Sequence, residues 1–227
     1  MSRRKKSTDY RGQRVLLVGL GLHGGGVATV KWLVHQGAKV RVTDIKNAAS
    51  LAPSLLKLRG IKATFHLGGY QPSDWTWAQR IILNPGVPPT IPPVRSANRR
   101  GVPIENEASI FLREFPGTSI GITGTRGKTT TTLLLGAILS AAHRQTIISG
   151  NVRDVPMLDY LPTTTSGTWA VLELSSYQLE RLPMSGHPLH VAVMTNLMVD
   201  HINRHGSLAA YAQPKYNIFR GQTKDDC

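Results

Sequence analysis

Ser119–Gly136 reads SIGITGTRGKTTTTLLLG, and how this stretch is interpreted decides what the rest of the chain can be. A β-branched run from Ser119 to Thr123 leads into a glycine-punctuated loop and then into a Thr- and Leu-rich helix start. Gly124 and Gly127 remove the Cβ atoms that would keep backbone N–H groups from wrapping a polyphosphate, and a helix starting near Lys128 turns its positive end toward the same anion. Lys128 can neutralise β/γ oxygens and the Thr129 hydroxyl can hold a magnesium ion, with Thr125, Arg126 and Thr130 completing the loop. The strict P-loop spacing is not met, because Ile122 stands where its first glycine would be. A plain strand-to-helix turn needs neither a Gly-Lys-Thr run nor the threonines that follow. The stretch therefore predicts a nucleotide-phosphate loop.

Upstream, Arg14 to Leu20 (RVLLVGL) has the pattern of a buried strand, and Gly19, Gly21 and Gly24 follow in G-x-G-x-x-G spacing before a helical stretch, Val27 to Gln36. A second strand, VRVTD, ends at Asp44. This βαβ unit with an acidic residue about twenty positions on is the dinucleotide fingerprint. Alone it points to NAD, yet the same geometry serves any nucleotide whose phosphates approach the first helix, or simply tight helix–strand packing. Its cofactor stays open at this point. A helix over Leu51–Arg59 and strands over Ala63–His66 and Arg80–Asn84 follow, and Asn84, Pro85 and Gly86 sit just past a strand's carboxyl end, where open α/β sheets bind ligands. Glu105–Phe115 reads as a helix, and Phe115–Ser119 (FPGTS) reads as a hinge.

Downstream, QTIISGN gives a strand ending at Gly150 and Asn151. The apolar run Trp169–Leu172 then delivers Glu173 to a strand edge, with Ser175, Ser176 and Gln178 behind it. An acid in that place can reach the magnesium or its water, or it can cap the next helix. Val191–Met194 is a further strand, followed by Asp200, His201 and His205. The histidines lack the glutamate of a helical zinc pair, so His205 reads as a solvated or capping residue and His201 as a ligand or metal residue. SLAAYAQPKYNIFR is helical apart from Pro214, and spacing alone leaves Lys215 a solvated charge. The last residues, GQTKDDC, predict no capping structure.

The expected class is α/β: a Rossmann-like open parallel sheet domain over 1–115, with a basic, disordered tail over 1–12, then a P-loop-type ATP-binding α/β domain over 116–227. With 227 residues there is room for two modest cores. The net charge of +14 favours anionic partners. Only Arg3, Arg4, Lys5 and Lys6 cluster, and no zinc finger, recognition helix or aromatic ribonucleoprotein motif accompanies them, so no specific nucleic acid is expected. No apolar run approaches the ~20 residues of a membrane span, and no signal region follows the basic start, which predicts a cytoplasmic location without a membrane partner. Cys227 is the one cysteine, which excludes an internal disulfide and a cysteine zinc cluster within one chain.

Taken in order, GLGLHGGG, NPGVPP, TGTRGKTTTT, Gly150–Asn151, ELSSYQLE and DHINRHGSLAAYAQPK resemble the Mur ligases, most closely their glutamate-adding branch. The resemblance implies an ATP-dependent amide ligase of peptidoglycan synthesis that adds D-glutamate to UDP-N-acetylmuramoyl-L-alanine through an acyl phosphate. It implies catalytic roles for Lys128, Glu173, His201 and Lys215 and two magnesium ions, one held by Thr129 and Glu173, the other by His201 and Lys215. Magnesium takes oxygen donors and rejects an ammonium, so Lys215 is implied to be carbamylated. Leu22, His23, Asp44, Ile45, Lys46, Asn84, Pro85 and Gly86 match positions lining the family's UDP pocket, and Asn151, Ser175 and Gln178 match positions near the muramoyl substrate or metal. On this reading the first glycine turn serves a UDP-sugar and not NAD.

Three departures stand out. Arg126 replaces a usual asparagine, Arg153 replaces a glycine, and Pro214 removes a helix N–H and restricts Gln213 just before Lys215. The family's third domain, which helps hold ATP and positions the incoming amino acid, has no counterpart before Cys227. The chain, a monomer on this reading, is expected to hold UDP-substrate and phosphates without completing ligation alone. A non-catalytic UDP-sugar or nucleotide-binding module is the alternative. An NAD-dependent oxidoreductase leaves TGTRGKTTTT unexplained.

Overall fold

Short Val-, Leu- and Ile-rich runs punctuated by glycine turns become parallel strands, and the central strands of each sheet are buried on both faces because crossovers lay helices over them. The computed structural model describes residues 9–152, 156–182 and 189–227. They form two compact units, one running to Glu107 and the other starting at Ala108. The sequence places this boundary near 116, and the contacts place it at 107/108.

The first unit alternates β1 (Arg14–Val18), α1 (Gly25–His35), β2 (Lys39–Asp44), α2 (Ala52–Leu56), β3 (Ala63–Leu67), α3 (Pro72–Trp77), β4 (Arg80–Leu83), α4 (Pro92–Arg99) and β5 (Ile104–Glu105). Its five strands lie in the order β3-β2-β1-β4-β5, and all pairs are parallel. The order reverses at β1, so the crevice beyond the carboxyl ends of β1 and β4 is the switch point. One side of the core packs Leu16, Val18, Ile81 and Leu83 against Trp75, Val94 and Ala97. Helices α3 and α4, which have no counterpart in the sequence expectations, carry prolines in their first turns, where local sequence resembles a loop. Proline in a first turn gives up an N–H that has no helical partner anyway. Tyr10 corrects the expected tail over 1–12. It is 2% exposed and meets Trp32 edge-to-face at 5.1 Å, so the chain is anchored from there; residues 1–8 lie outside the described residues.

The second unit holds most of α5 (Glu107–Glu114), then β6 (Thr118–Thr123), α6 (Lys128–Ala141), β7 (Thr146–Gly150), a 3-10 turn (Met157–Thr163), β8 (Trp169–Glu173), α7 (Ser176–Leu179), β9 (Val191–Met194), α8 (Ile202–His205), α9 (Leu208–Tyr216) and a second 3-10 turn (Asn217–Phe219). Four parallel strands run in the order β7-β8-β6-β9. Helix α9 continues through Pro214, so the proline does not end it. The final residues are not loose: Cys227 bonds His190 and Ala192 through its backbone at 2.9 and 2.7 Å. No helix among the described residues is long and apolar enough to cross a membrane.

Candidate functional site

Sheet register decides which residues meet. Ile122 of β6 and Gly150 of β7 both pair with Glu173 at the end of β8, and Thr123 pairs with Met194 at the end of β9. All four strands thus finish level, and the loops after them share one edge. The loop 124–127 leaves β6 there and runs into α6, whose N-cap, Gly127, is left-handed and without a capping side chain. The N–H groups of the first turn are left facing outward, as an anion site requires. Gly124 has φ 143°, and a Cβ on it would lie 2.0 Å from Thr195 Oγ1. No other residue fits.

Four predicted residues converge at this edge. The Thr129 hydroxyl donates to Glu173 Oε2 at 2.7 Å, and Asn151 Nδ2 donates to the other carboxylate oxygen at 3.1 Å. The Lys128 ammonium lies over the loop and donates to the Thr125 carbonyl at 3.0 Å. Glu173 is buried and does not cap α7. That cap is Ser175, whose hydroxyl accepts from Gln178 N–H while Gln178 Oε1 accepts from Ser175 N–H. These two residues therefore spend polar atoms on each other at the helix start.

Lys215 overturns the reading from spacing. It is 1% exposed, and its ammonium donates to the Gly124 carbonyl at 2.8 Å and sits 4.6 Å from the Tyr211 ring centroid. Burial, then the nearby Lys128 charge, lowers its pKa to about 8, against a smaller opposing pull from Asp200. His201 also neighbours this tyrosine, its ring 5.9 Å from that of Tyr211 and its Nδ1 3.1 Å from the Tyr177 hydroxyl. The structure brings His201 and Lys215 to one tyrosine but records no contact between them. His205 is corrected from a solvated residue: its side chain is 6% exposed, bonds Ser176 Oγ at 3.2 Å and stacks on Tyr177. Burial foremost, with Arg204, His201 and Lys215 nearby, holds its pKa below the usual value.

Sequence reasoning missed Thr195, Asn196 and Tyr211. The first two follow β9 and bind the loop backbone; the third places its hydroxyl 3.5 Å from Thr125 Oγ1. A Thr-Asn pair after a strand was the available signal, but the same pair is common in turns. The Arg126 side chain is exposed, and Arg153 lies outside the described residues.

In the first unit Asp44 is 5% exposed and turned inward. Its Oδ2 accepts from Leu20 and Gly21 N–H at 2.8 and 3.2 Å, and its Oδ1 from Lys46 N–H at 2.9 Å. In the dinucleotide fingerprint that acid bonds the ribose; here it is committed to the glycine turn. Leu22, His23, Ile45 and Lys46 surround it as exposed residues. Across the switch point Asn84 accepts from Gly86 N–H at 3.0 Å, and a cavity of about 60 Å³ is lined by Gly25, Gly26, Asn84, Pro85 and Glu107 among others. A larger cavity of about 380 Å³, between α3 and α4, holds none of the predicted residues.

Residues 13–106 match the MurD-like N-terminal domain of the Mur ligases, and residues 122–227 match the Mur ligase middle domain. UDP-N-acetylmuramoylalanine–D-glutamate ligase of Roseiflexus sp. strain RS-1 is 44% identical over 95% of this chain and 46% of its own length. The ligase of the same name from Desulfosudis oleivorans is 36% identical over 97% of this chain and 47% of its own. The chain spans about half the length of the curated relatives it matches. Among solved structures, the UDP-N-acetylmuramate:L-alanyl-gamma-D-glutamyl-meso-diaminopimelate ligase of Neisseria meningitides superposes with a TM-score of 0.58 at 18% identity, covering 91% of this chain and 67% of that one. A murein peptide ligase from Psychrobacter arcticus gives 0.51 at 16% identity, over 91% and 46%. These two speak for the fold alone. Two family domains in succession, and relatives of one name along nearly all of its residues, make this chain a member of the Mur ligase family.

Proposed function

We propose that the chain carries the UDP-substrate and ATP portions of a ligase joining D-glutamate to UDP-N-acetylmuramoyl-L-alanine in peptidoglycan synthesis. The substrate carboxylate attacks the γ-phosphorus of ATP, ADP departs, and the amine of D-glutamate then displaces phosphate from the acyl phosphate to leave an amide. Phosphoryl transfer of this kind depends on positioning and charge neutralisation. The observation that carries the proposal is the Thr129–Glu173 contact beside an uncapped helix start and Lys128. That combination has no use in a dinucleotide oxidoreductase.

Thr129 and Glu173 fit one magnesium ion, since they put two oxygen donors side by side at the phosphate loop. Bound there, the ion supplies charge neutralisation for the β/γ oxygens. Among the described residues no three His, Cys, Asp or Glu side chains cluster as a metal site; phosphate oxygens and water would supply the rest of the ion's oxygen donors. His201 and Lys215 do not fit a second ion as they stand, because the lysine is an amine spent on the Gly124 carbonyl. Conversion to a carbamate, in which the neutral amine bonds the carbon of carbon dioxide and releases a proton, turns Lys215 into an oxygen ligand. Its lowered pKa leaves more neutral amine near pH 8. Lys128 and the N–H groups of α6 hold the phosphates, and the exposed residues around Asp44 with Asn84–Gly86 hold the UDP moiety.

Calorimetric titration of the purified chain tests this, first with UDP-N-acetylmuramoyl-L-alanine, then with magnesium and a non-hydrolysable ATP analogue. Both are expected to bind, and Lys128→Ala is expected to weaken the analogue tenfold or more, the loss of about 1.4 kcal/mol for one charge-assisted contact. Unchanged affinity in that variant counts against the proposal.

A further inference from the structure

Thr195 and Asn196, which directly follow β9, have no place in the scheme above, yet they grip the phosphate loop at its apex. Asn196 Oδ1 accepts from the Arg126 N–H at 3.0 Å, and Asn196 Nδ2 donates to the Arg126 carbonyl at 3.1 Å. One side-chain amide thus binds both backbone polar groups of one loop residue, as a neighbouring strand would. The Thr195 hydroxyl donates to the same carbonyl at 2.6 Å. The Asn196 carbonyl accepts from Thr125 N–H at 3.1 Å, and Met198 N–H donates to Thr125 Oγ1 at 2.9 Å. The N–H groups of Thr125 and Arg126 are therefore turned to the β9 loop. What the phosphate loop can offer an anion begins at Gly127.

We propose that Asn196 is a positioning residue: by holding the Arg126 backbone at both ends it sets the phosphate loop in its anion-accepting shape and confines polyphosphate recognition to the N–H groups from Gly127 onward and to Lys128. The inference rests on the nucleotide reading of the loop. It divides the predicted phosphate-binding set: Thr125 and Arg126 are gripped, Gly124 gives its carbonyl to Lys215, and Gly127, Lys128, Thr129 and Thr130 receive the phosphates. The grip also explains why Gly124 cannot be larger, since Thr195 occupies the space a Cβ would take.

The test uses the full chain with Asn196→Ala and Asn196→Asp, read by amide hydrogen exchange and by titration with a magnesium-bound, non-hydrolysable ATP analogue. Asn196→Ala is expected to free the Arg126 amide for exchange, to leave the amides of β6 and β9 protected, and to weaken the analogue about tenfold, as two lost hydrogen bonds imply. UDP-N-acetylmuramoyl-L-alanine binding stays unchanged. Asn196→Asp keeps an acceptor for the Arg126 N–H and is expected to keep that amide protected. Full analogue affinity in Asn196→Ala, free Arg126 exchange in Asn196→Asp, or loss of β9 protection together with affinity each overturns the proposal, the last because it marks general unfolding. If the unsubstituted chain fails to bind the analogue, the nucleotide reading falls. The Arg126 exchange then still decides whether Asn196 shapes the loop.

Discussion

The Thr129 hydroxyl reaches Glu173 Oε2 at 2.7 Å across 44 positions of chain. Parallel pairing of β6 with β8, in the register Ile122 to Glu173, brings the two within reach. Both oxygens of this buried carboxylate are hydrogen-bonded, and on the proposed reading it serves the magnesium ion at the phosphate loop. Glu173→Gln keeps the shape and removes the charge. We expect analogue affinity measured with magnesium to fall at least tenfold while affinity without magnesium holds or rises, since a like charge beside the phosphates is gone. Equal losses with and without the ion contradict a metal role.

Gly124 and Gly127 both have positive φ, 143° and 79°, but only Gly124 is crowded. Gly127→Ala meets no atom within 4 Å and is expected to cost about 1 kcal/mol of unfolding free energy from the left-handed backbone alone. Gly124→Ala must displace Thr195, and we expect a loss of about 3 kcal/mol with loss of analogue binding. Denaturant curves of the two variants check the ranking. The reverse order refutes it.

Lys215 makes stability depend on pH with a definite sign. The folded chain releases this proton near pH 8, the unfolded chain near the usual 10.5. Below about pH 8 both states are charged and folding bears the whole penalty of the buried ammonium; between the two values the unfolded state holds more protons, so stability rises with pH. Relative to Lys215→Met, the unsubstituted chain is expected to gain up to about 3 kcal/mol between pH 8 and 10.5. Parallel pH profiles of unfolding free energy for the two chains contradict this.

Asp44 accepts three backbone N–H groups on two oxygens. The side-chain amide of an Asp44→Asn variant has one acceptor oxygen and no charge, so at least one N–H loses its partner. We expect a loss of about 2 kcal/mol, faster amide exchange at Leu20, Gly21 or Lys46, and weaker UDP-substrate binding. Retained protection at all three amides shows that the carboxylate is not what holds the turn.

Much of the architecture was legible because its signals are local. Glycine spacing, short β-branched runs and the Gly-Lys-Thr sequence announce strand, loop and helix within a few residues of one another, and Glu173 was legible as an acid delivered by an apolar strand. Prolines obscured α3 and α4, where only their place in a first turn separates a helix start from a loop. The roles of Lys215, His205, Asp44 and Asn196 were decided by tertiary structure. Packing beside Tyr211 buries the lysine, and Tyr177 covers the histidine. The inward turn of Asp44 and the grip of Asn196 on Arg126 depend on strand ends that parallel pairing brings level. The sequence by itself determined which elements form, because backbone propensity and period act over neighbouring residues. Which polar groups leave water, and which partner each one finds there, follows from contacts between distant residues, and only the tertiary structure decided that.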